Sequence, residues 1–149
     1  MPKAPVKFNK PPHATQHCRH YSYKMAPEDT RGPCCAKELD LTAPRAVQAC
    51  MPKSVAPRPL ARVCDQREEY TATEREAWKK FQTESMGRLI TILAVIPGSV
   101  DTRDKEYWGK TGELVCPACE TGTVRWTRAP NNGHLWASCS TPNCFGVIQ

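Results

Sequence analysis

The feature that most constrains this chain is a group of four cysteines near its C-terminus. They follow the spacing Cys116-x2-Cys119-x19-Cys139-x4-Cys144. Two close cysteine pairs separated by about twenty residues are typical of a zinc ribbon, in which four thiolates surround one tetrahedral metal ion. Strand-like residues flank the sequence APNNG between the two pairs. We therefore expect a β-hairpin with an Asn-Gly turn that brings the second pair to the first.

The ligand type also indicates what this metal does. A catalytic zinc keeps one coordination position open for water, whereas four cysteine ligands fill all positions. The sequence also contains no P-loop, GxSxG or HExxH motif. We therefore expect a structural metal and a protein that is not an enzyme.

A second set of cysteines lies in the N-terminal half. Eight of the nine cysteines form two sets of four, and the second set is Cys18, Cys35, Cys50 and Cys64. Ten of the fourteen prolines precede residue 60, so this region has little to bury and needs a cross-link. We expect a second zinc site here, with an iron–sulfur cluster or no metal as the alternatives. Cys34, His17 and His20 are alternative ligands.

The central part of the chain reads as one amphipathic helix over residues 71–96. Thr71 and Glu74 fit a capping box at its start, and Pro97-Gly98 ends it. Apolar residues recur at steps of three and four, at Trp78, Phe81, Leu89, Ile92 and Ile96. This stripe would pack as a core face against residues 17–70 or form the seam of a homodimer.

These segments predict a small metal-stabilised α+β fold. It consists of a loop-rich N-terminal four-cysteine module, one amphipathic helix and a C-terminal β-hairpin zinc ribbon. The expected organisation is a flexible basic tail, a cysteine-clamped module, the helix, a linker and the ribbon, at residues 1–16, 17–70, 71–96, 97–113 and 114–149.

Charge and hydropathy limit the partners. The net charge is +6, and residues 1–70 contribute +5 of it through 12 Lys/Arg and 7 Asp/Glu, whereas residues 112–149 are neutral. A basic excess favours nucleic acid as a partner. The longest apolar run, LITILAVI, is too short to span a membrane, and the N-terminus lacks the apolar region of a signal peptide. We expect a cytoplasmic protein with reduced cysteines and no membrane contact.

The C-terminal segment resembles the small zinc ribbons of bacterial type I topoisomerases. The matching residues are Cys116, Pro117, Cys119, Gly122, Gly133, Trp136, Cys139, Ser140, Pro142 and Cys144. In that family such ribbons help to bind single-stranded DNA or partner proteins, and their aromatic residues stack on bases. The resemblance implies an equivalent contact surface here at Arg125, Trp126, Arg128, His134 and Trp136.

A wider stretch is similar to small zinc-finger proteins of tailed phages and prophages. In the N-terminal half the matching residues are Cys18, His20, Tyr21, Cys35, Ala36, Asp40, Cys50, Cys64, Tyr70, Thr71 and Glu74. This resemblance favours Cys35 over Cys34 as a ligand and implies a location in the host cytoplasm.

Two functions follow as expectations. The first is a zinc protein that binds nucleic acid, either single-stranded or nucleoprotein-associated DNA. The second is an adaptor or inhibitor that binds a host or phage protein, such as a polymerase or a defence nuclease.

Overall fold

The computed structural model of the chain describes residues 4, 6–25, 31–43, 46–51, 64–99 and 104–148. It consists of two compact units: the N-terminal unit, Pro11–Trp78, and the C-terminal unit, which combines Met1–Lys10 with Lys79–Gln149. One long helix, two antiparallel sheets and a cluster of four cysteines confirm the α+β class. The division falls within the helix, which therefore contributes residues to both units.

The N-terminal unit has little regular structure, as its prolines predict. Strand β1 (Tyr21–Lys24) pairs with β2 (Gly32–Cys35), and a short 3₁₀ helix covers Ala46–Cys50. Within the described ranges of this unit, Cys18, Leu41, Ala46 and Cys50 form one buried cluster. Two of these four side chains are thiols, so the purely apolar part of this cluster is small.

Helix α1 spans Ala72–Leu93 and begins with the capping box that the sequence predicts. The Glu74 N–H donates to Thr71 Oγ1 at 3.2 Å, and the Thr71 N–H donates back to Glu74 Oε2 at 2.7 Å. Both bonds satisfy backbone donors that lack a partner within the helix, a contribution of about 1 kcal/mol.

The helix ends three residues before the predicted position, because its last turn tightens. The Val95 N–H bonds the carbonyl three residues back at Ile92, and the Ser99 hydroxyl donates to the Leu93 carbonyl. Two residues of the predicted apolar face, Ile92 and Ile96, are buried and pack in the core of the C-terminal unit. The other three, Trp78, Phe81 and Leu89, are half-buried. In the described part of the chain, no helix has both the length and the apolar character needed to cross a membrane.

The C-terminal unit is built on a four-stranded antiparallel sheet in the order β3-β4-β5-β6. The strands are Thr111–Val115, Thr123–Arg128, Leu135–Cys139 and Gly146–Ile148. The predicted hairpin corresponds to β4 and β5. The first strand begins inside the predicted linker over residues 97–113. The hairpin connection covers residues 129–134, longer than a two-residue Asn-Gly turn, and within it Gly133 has a φ of +68°.

Alternation along the strands gives the sheet two different faces. We call the buried side the inner face, formed by Leu114, Val124, Trp126, Arg128, Leu135 and Ala137. The opposite side, the outer face, is formed by Glu113, Val115, Arg125, Thr127, Trp136 and Ser138. The inner face packs with the end of α1 into one core, so the outer face is left for other contacts.

Gly112 allows close packing inside this core. It lies opposite Trp126 in the sheet, and a Cβ at Gly112 would lie 2.7 Å from the Trp126 ring. We expect Gly112→Ala to lower the stability of the sheet by about 1–3 kcal/mol through overpacking. Thermal unfolding would measure this. Gly146→Ala is the control, because a Cβ there meets nothing within 4 Å. Equal melting temperatures for the two variants would contradict the expectation.

Candidate metal centre

The four C-terminal cysteines converge on one point. The Sγ atoms of Cys116, Cys119, Cys139 and Cys144 all lie within 4.8 Å of one another. Cys116 Sγ is 3.8 Å from Cys144 Sγ, and Cys119 Sγ is 3.7 Å from Cys139 Sγ. A tetrahedral ion with metal–sulfur bonds of about 2.3 Å separates its sulfurs by about 3.8 Å, whereas a disulfide needs about 2.05 Å. The geometry therefore fits one tetrahedral metal ion.

Two loops of the sheet supply the ligands. The first pair lies in the loop between β3 and β4, and the second pair lies at the end of β5 and in the loop to β6. The Cys116 N–H donates to the Gly122 carbonyl at 2.8 Å, which closes the first loop. The Ser140 N–H donates to the Thr123 carbonyl at 2.9 Å, which ties the second loop to the first. Strand order thus brings both loops to one end of the sheet.

Hydrogen bonds stabilise the thiolate form of one of these cysteines, Cys119. Cys119 Sγ accepts the Gly122 N–H at 3.3 Å and lies 3.3 Å from the Thr141 hydroxyl. Burial raises the pKa of the Cys119 thiol, but the hydrogen bonds from Thr141 and from the Thr121 and Gly122 amides outweigh it and lower that pKa to about 6. At neutral pH the Cys119 sulfur is therefore ready to bind a metal.

In the second loop, the pKa values of both cysteine thiols are raised. Burial, together with the neighbouring Cys116 sulfur, raises the pKa of the Cys144 thiol well above its usual range. Burial also raises the pKa of Cys139, although the Thr141 N–H donates to its sulfur at 3.4 Å. A metal ion that binds this set must therefore displace protons from the second pair.

Contacts outside the four ligands hold the second loop in place. Arg88 of α1 donates from Nε to the Cys144 carbonyl at 2.9 Å, and its guanidinium lies 4.3 Å from the centre of the Phe8 ring. The Asn143 side chain donates to the Phe8 carbonyl at 3.0 Å. Sequence reasoning missed this role of Arg88, since no local pattern links residue 88 to residue 144.

Gly122 occupies a position between the ligands where no side chain fits. A Cβ there would lie 2.6 Å from Cys139 Sγ and 3.2 Å from Cys119 Sγ, and would collide with Thr141 Oγ1. We expect Gly122→Ala to lower metal affinity roughly 10- to 100-fold, the range found for disturbed outer-shell groups. Competition with a coloured chelator would measure it, with Gly146→Ala as the control. Unchanged affinity would show that the loops can move apart at no cost.

The N-terminal set of cysteines is gathered less tightly. Cys18 and Cys50 are buried in the core of the N-terminal unit, and Cys35 packs against them. Cys64 lines the same small cavity as Cys50. Among the described residues, only the C-terminal set has ligand atoms that all lie within 4.8 Å. None of the nine cysteines, all of them in the described ranges, forms a disulfide.

The alternative N-terminal ligands make other contacts. His20 Nε2 lies 3.0 Å from Glu68 Oε2. His17 Nδ1 lies 3.0 Å from the Thr15 hydroxyl, and its ring stacks on Tyr21. The Cys34 thiol is directed to the carbonyl of residue 32 at 3.5 Å.

The five predicted contact residues separate into two groups. Trp126 and Arg128 belong to the inner face and are 8% and 1% exposed. Arg128 donates to the carbonyls of Gly133 and Gly98, which makes it a structural residue. The remaining three are exposed: Arg125, His134 and Trp136. Because six residues connect β4 to β5, Trp126 and Trp136 point to opposite faces, a relation that the sequence left open.

Comparisons with protein-family models, with curated proteins and with solved structures find no match to this chain. The resemblances to topoisomerase ribbons and to phage zinc-finger proteins therefore stay expectations from the sequence. The evidence on its function therefore comes from the geometry of the four-cysteine centre and from the outer face of the sheet.

Proposed function

We propose that the four C-terminal cysteines hold one structural zinc ion, and that the sheet fixed by this ion binds single-stranded nucleic acid. Four cysteine sulfurs within 4.8 Å of one another are a donor set that zinc favours. Because such a site is closed, we assign no reaction to the metal. Its role is to hold the two loops, and with them the strands, in position.

The observation that carries this proposal is the exposure of Trp136. Trp136 is 51% exposed although β5 has a neighbouring strand on each side. Thr127 is directly opposite in β4, and Arg125 follows on the same face of that strand. An accessible aromatic ring on the outer face of a sheet is suited to stacking of unpaired bases. Duplex DNA offers no free base faces to such a ring.

Charge indicates that stacking outweighs phosphate contacts here. Residues 112–149 are neutral, and a zinc ion with four thiolates adds roughly −2. Arg125 pairs with Glu113 at 2.7 Å, and in the N-terminal unit Arg19 pairs with Glu68 and Glu74. Since the ribbon itself offers no net positive charge to phosphates, we expect only a shallow dependence of affinity on salt.

Fluorescence anisotropy with a labelled oligo-dT would test the proposal. The zinc-loaded full chain is titrated against a strand of about 12 nucleotides, within the usual site sizes, and against a duplex of the same length. We expect saturable binding to the single strand and weaker binding to the duplex, with tryptophan fluorescence quenched on binding. The absence of binding to single-stranded DNA and RNA at about 50 mM salt would overturn the proposal.

A second candidate, a protein-binding role, is favoured by one other observation. Met86 and Ile90 lie one turn apart on α1 and are 55% and 63% exposed. Two exposed apolar residues at this spacing fit a homodimer seam or an adaptor surface for a host or phage protein. Light scattering distinguishes the homodimer seam from the adaptor surface, because a dimeric mass supports the homodimer seam. Stoichiometric capture of one host enzyme, lost in Ile90→Glu, would support the adaptor.

A further inference from the structure

We infer that Cys18, Cys35, Cys50 and Cys64 bind a second zinc ion, and that Arg67 positions the loops that carry them. The inference does not depend on nucleic-acid binding by the ribbon. Four thiols from four separate stretches of sequence lie in or beside one small core.

Among the residues that the structure describes, this core is too small to fold the N-terminal unit alone. Apart from two thiols, its buried members in those ranges are Leu41 and Ala46. Units of this size that lack a sizeable apolar core use disulfides or metals as cross-links. Since the cysteines form no disulfide within the described ranges, a metal ion is the cross-link that this arrangement offers.

The backbone turns directly after three of the four cysteines. Three of the four cysteines begin a turn whose fourth residue donates its N–H to the cysteine carbonyl, at 3.0, 3.0 and 3.3 Å: Tyr21 to Cys18, Glu38 to Cys35, and Arg67 to Cys64. The Glu68 N–H also donates to Cys18 Sγ at 3.5 Å. The same kind of hydrogen bond, from a backbone N–H to a cysteine sulfur, occurs at Cys119 in the C-terminal centre. Such a bond favours the thiolate.

Arg67 connects these loops with one side chain. Its Nη1 donates to the carbonyls of Ala49 and Met51, on either side of Cys50, at 2.8 and 2.9 Å. Its Nη2 donates to the Gln16 carbonyl at 3.3 Å, two residues before Cys18. Arg67 thus joins the loops of three cysteines.

The charge of Arg67 is also suited to a thiolate site. Four thiolates around zinc carry roughly −2 in total, and a nearby guanidinium offsets part of that charge. Cys18, Cys35 and Cys50 share one core and Cys64 lines the cavity beside Cys50, so a bound divalent cation would draw the four sulfurs together.

Strand β2 determines which of two adjacent cysteines belongs to the site. Neighbouring residues of a strand point to opposite sides. Cys35 packs against the core that contains Cys18 and Cys50, whereas Cys34 does not and is directed to a carbonyl of its own strand. Cys34 therefore provides a matched control next to a proposed ligand.

Native mass spectrometry with elemental analysis of the full chain, expressed in zinc-supplemented medium and dialysed, tests the inference. We expect two zinc ions per chain in the unaltered protein and in Cys34→Ser, and one in Cys50→Ser and in Cys144→Ser. One zinc ion in the unaltered chain would overturn the inference, as would iron with acid-labile sulfide or two zinc ions in Cys50→Ser. The count for the unaltered chain decides even where a variant fails to fold.

A second variant tests the positioning role of Arg67. Arg67→Lys keeps the charge but loses the planar fork that reaches three carbonyls. We expect it to release one of its two zinc ions to a chelator at least roughly tenfold more readily, with the other unchanged. Equal release from the variant and the unaltered chain would remove Arg67 from the proposal. If Cys50→Ser still binds oligo-dT, the N-terminal site is not needed for nucleic-acid binding by the ribbon.

Discussion

Removal of the metal from the C-terminal centre is expected to unfold the four-stranded sheet. Three of the four cysteines, Cys116, Cys119 and Cys144, are themselves members of the core that joins the sheet to α1. Binding of a structural zinc ion contributes about 10–16 kcal/mol in zinc-finger peptides, and the net stability of a domain is about 5–15 kcal/mol. The proposed zinc ion would therefore contribute as much as the whole stability of this unit, and we expect its removal to unfold the sheet.

Cys144→Ser tests this expectation together with chelation. The serine variant, and the chelated protein, should lose the dispersed NMR signals of β3–β6, and zinc should restore them in the chelated protein only. Cys34→Ser is the control, because Cys34 lies outside both cores. A sheet that stays folded without metal, with the Trp126 indole still protected from solvent, would show that the apolar core suffices.

Replacement of Trp136 is expected to have the largest effect on binding to single strands. Stacking of a base on an aromatic ring contributes about 1–3 kcal/mol, which corresponds to roughly 5- to 150-fold in affinity. Trp136 is half-exposed, so Trp136→Ala should remove this contribution while the fold is retained. Trp136→Phe keeps a smaller ring and should lose less.

Val115→Ala is the matched control for this experiment. Val115 is 71% exposed on the same outer face but offers no ring to a base. Anisotropy titrations with oligo-dT, accompanied by circular dichroism of each variant, measure both effects. If Trp136→Ala and Val115→Ala bind as tightly as the unaltered chain, the outer face does not stack on bases and the protein-binding role is favoured.

Local signals in the sequence were the most informative. The spacing of four cysteines identified a cluster that the structure brings within 4.8 Å, because close pairs and an intervening hairpin impose that geometry. The capping box at Thr71 and Glu74 is confirmed for the same reason, since its partners are three residues apart.

Features that depend on contacts between residues far apart in the sequence could not be predicted from local patterns. The first three residues of β3 read as a polar linker because Thr111 and Glu113 are polar and Gly112 replaces a core side chain with space for Trp126. Arg128 looks like a contact residue in the sequence, but its burial follows from carbonyls at Gly98 and Gly133 that only the fold brings near. The faces of Trp126 and Trp136 depend on the length of the loop between β4 and β5.

The most direct test of the account is an NMR titration of the zinc-loaded chain with oligo-dT. The two tryptophans of the ribbon lie on opposite faces of one sheet, so each serves as the control for the other. We expect the Trp136 indole N–H and the amides of Arg125 and Thr127 to shift progressively, while the Trp126 indole N–H stays in place. Shifts confined to the N-terminal unit, or the absence of any shift on the outer face, would contradict the proposal that this face binds single-stranded nucleic acid.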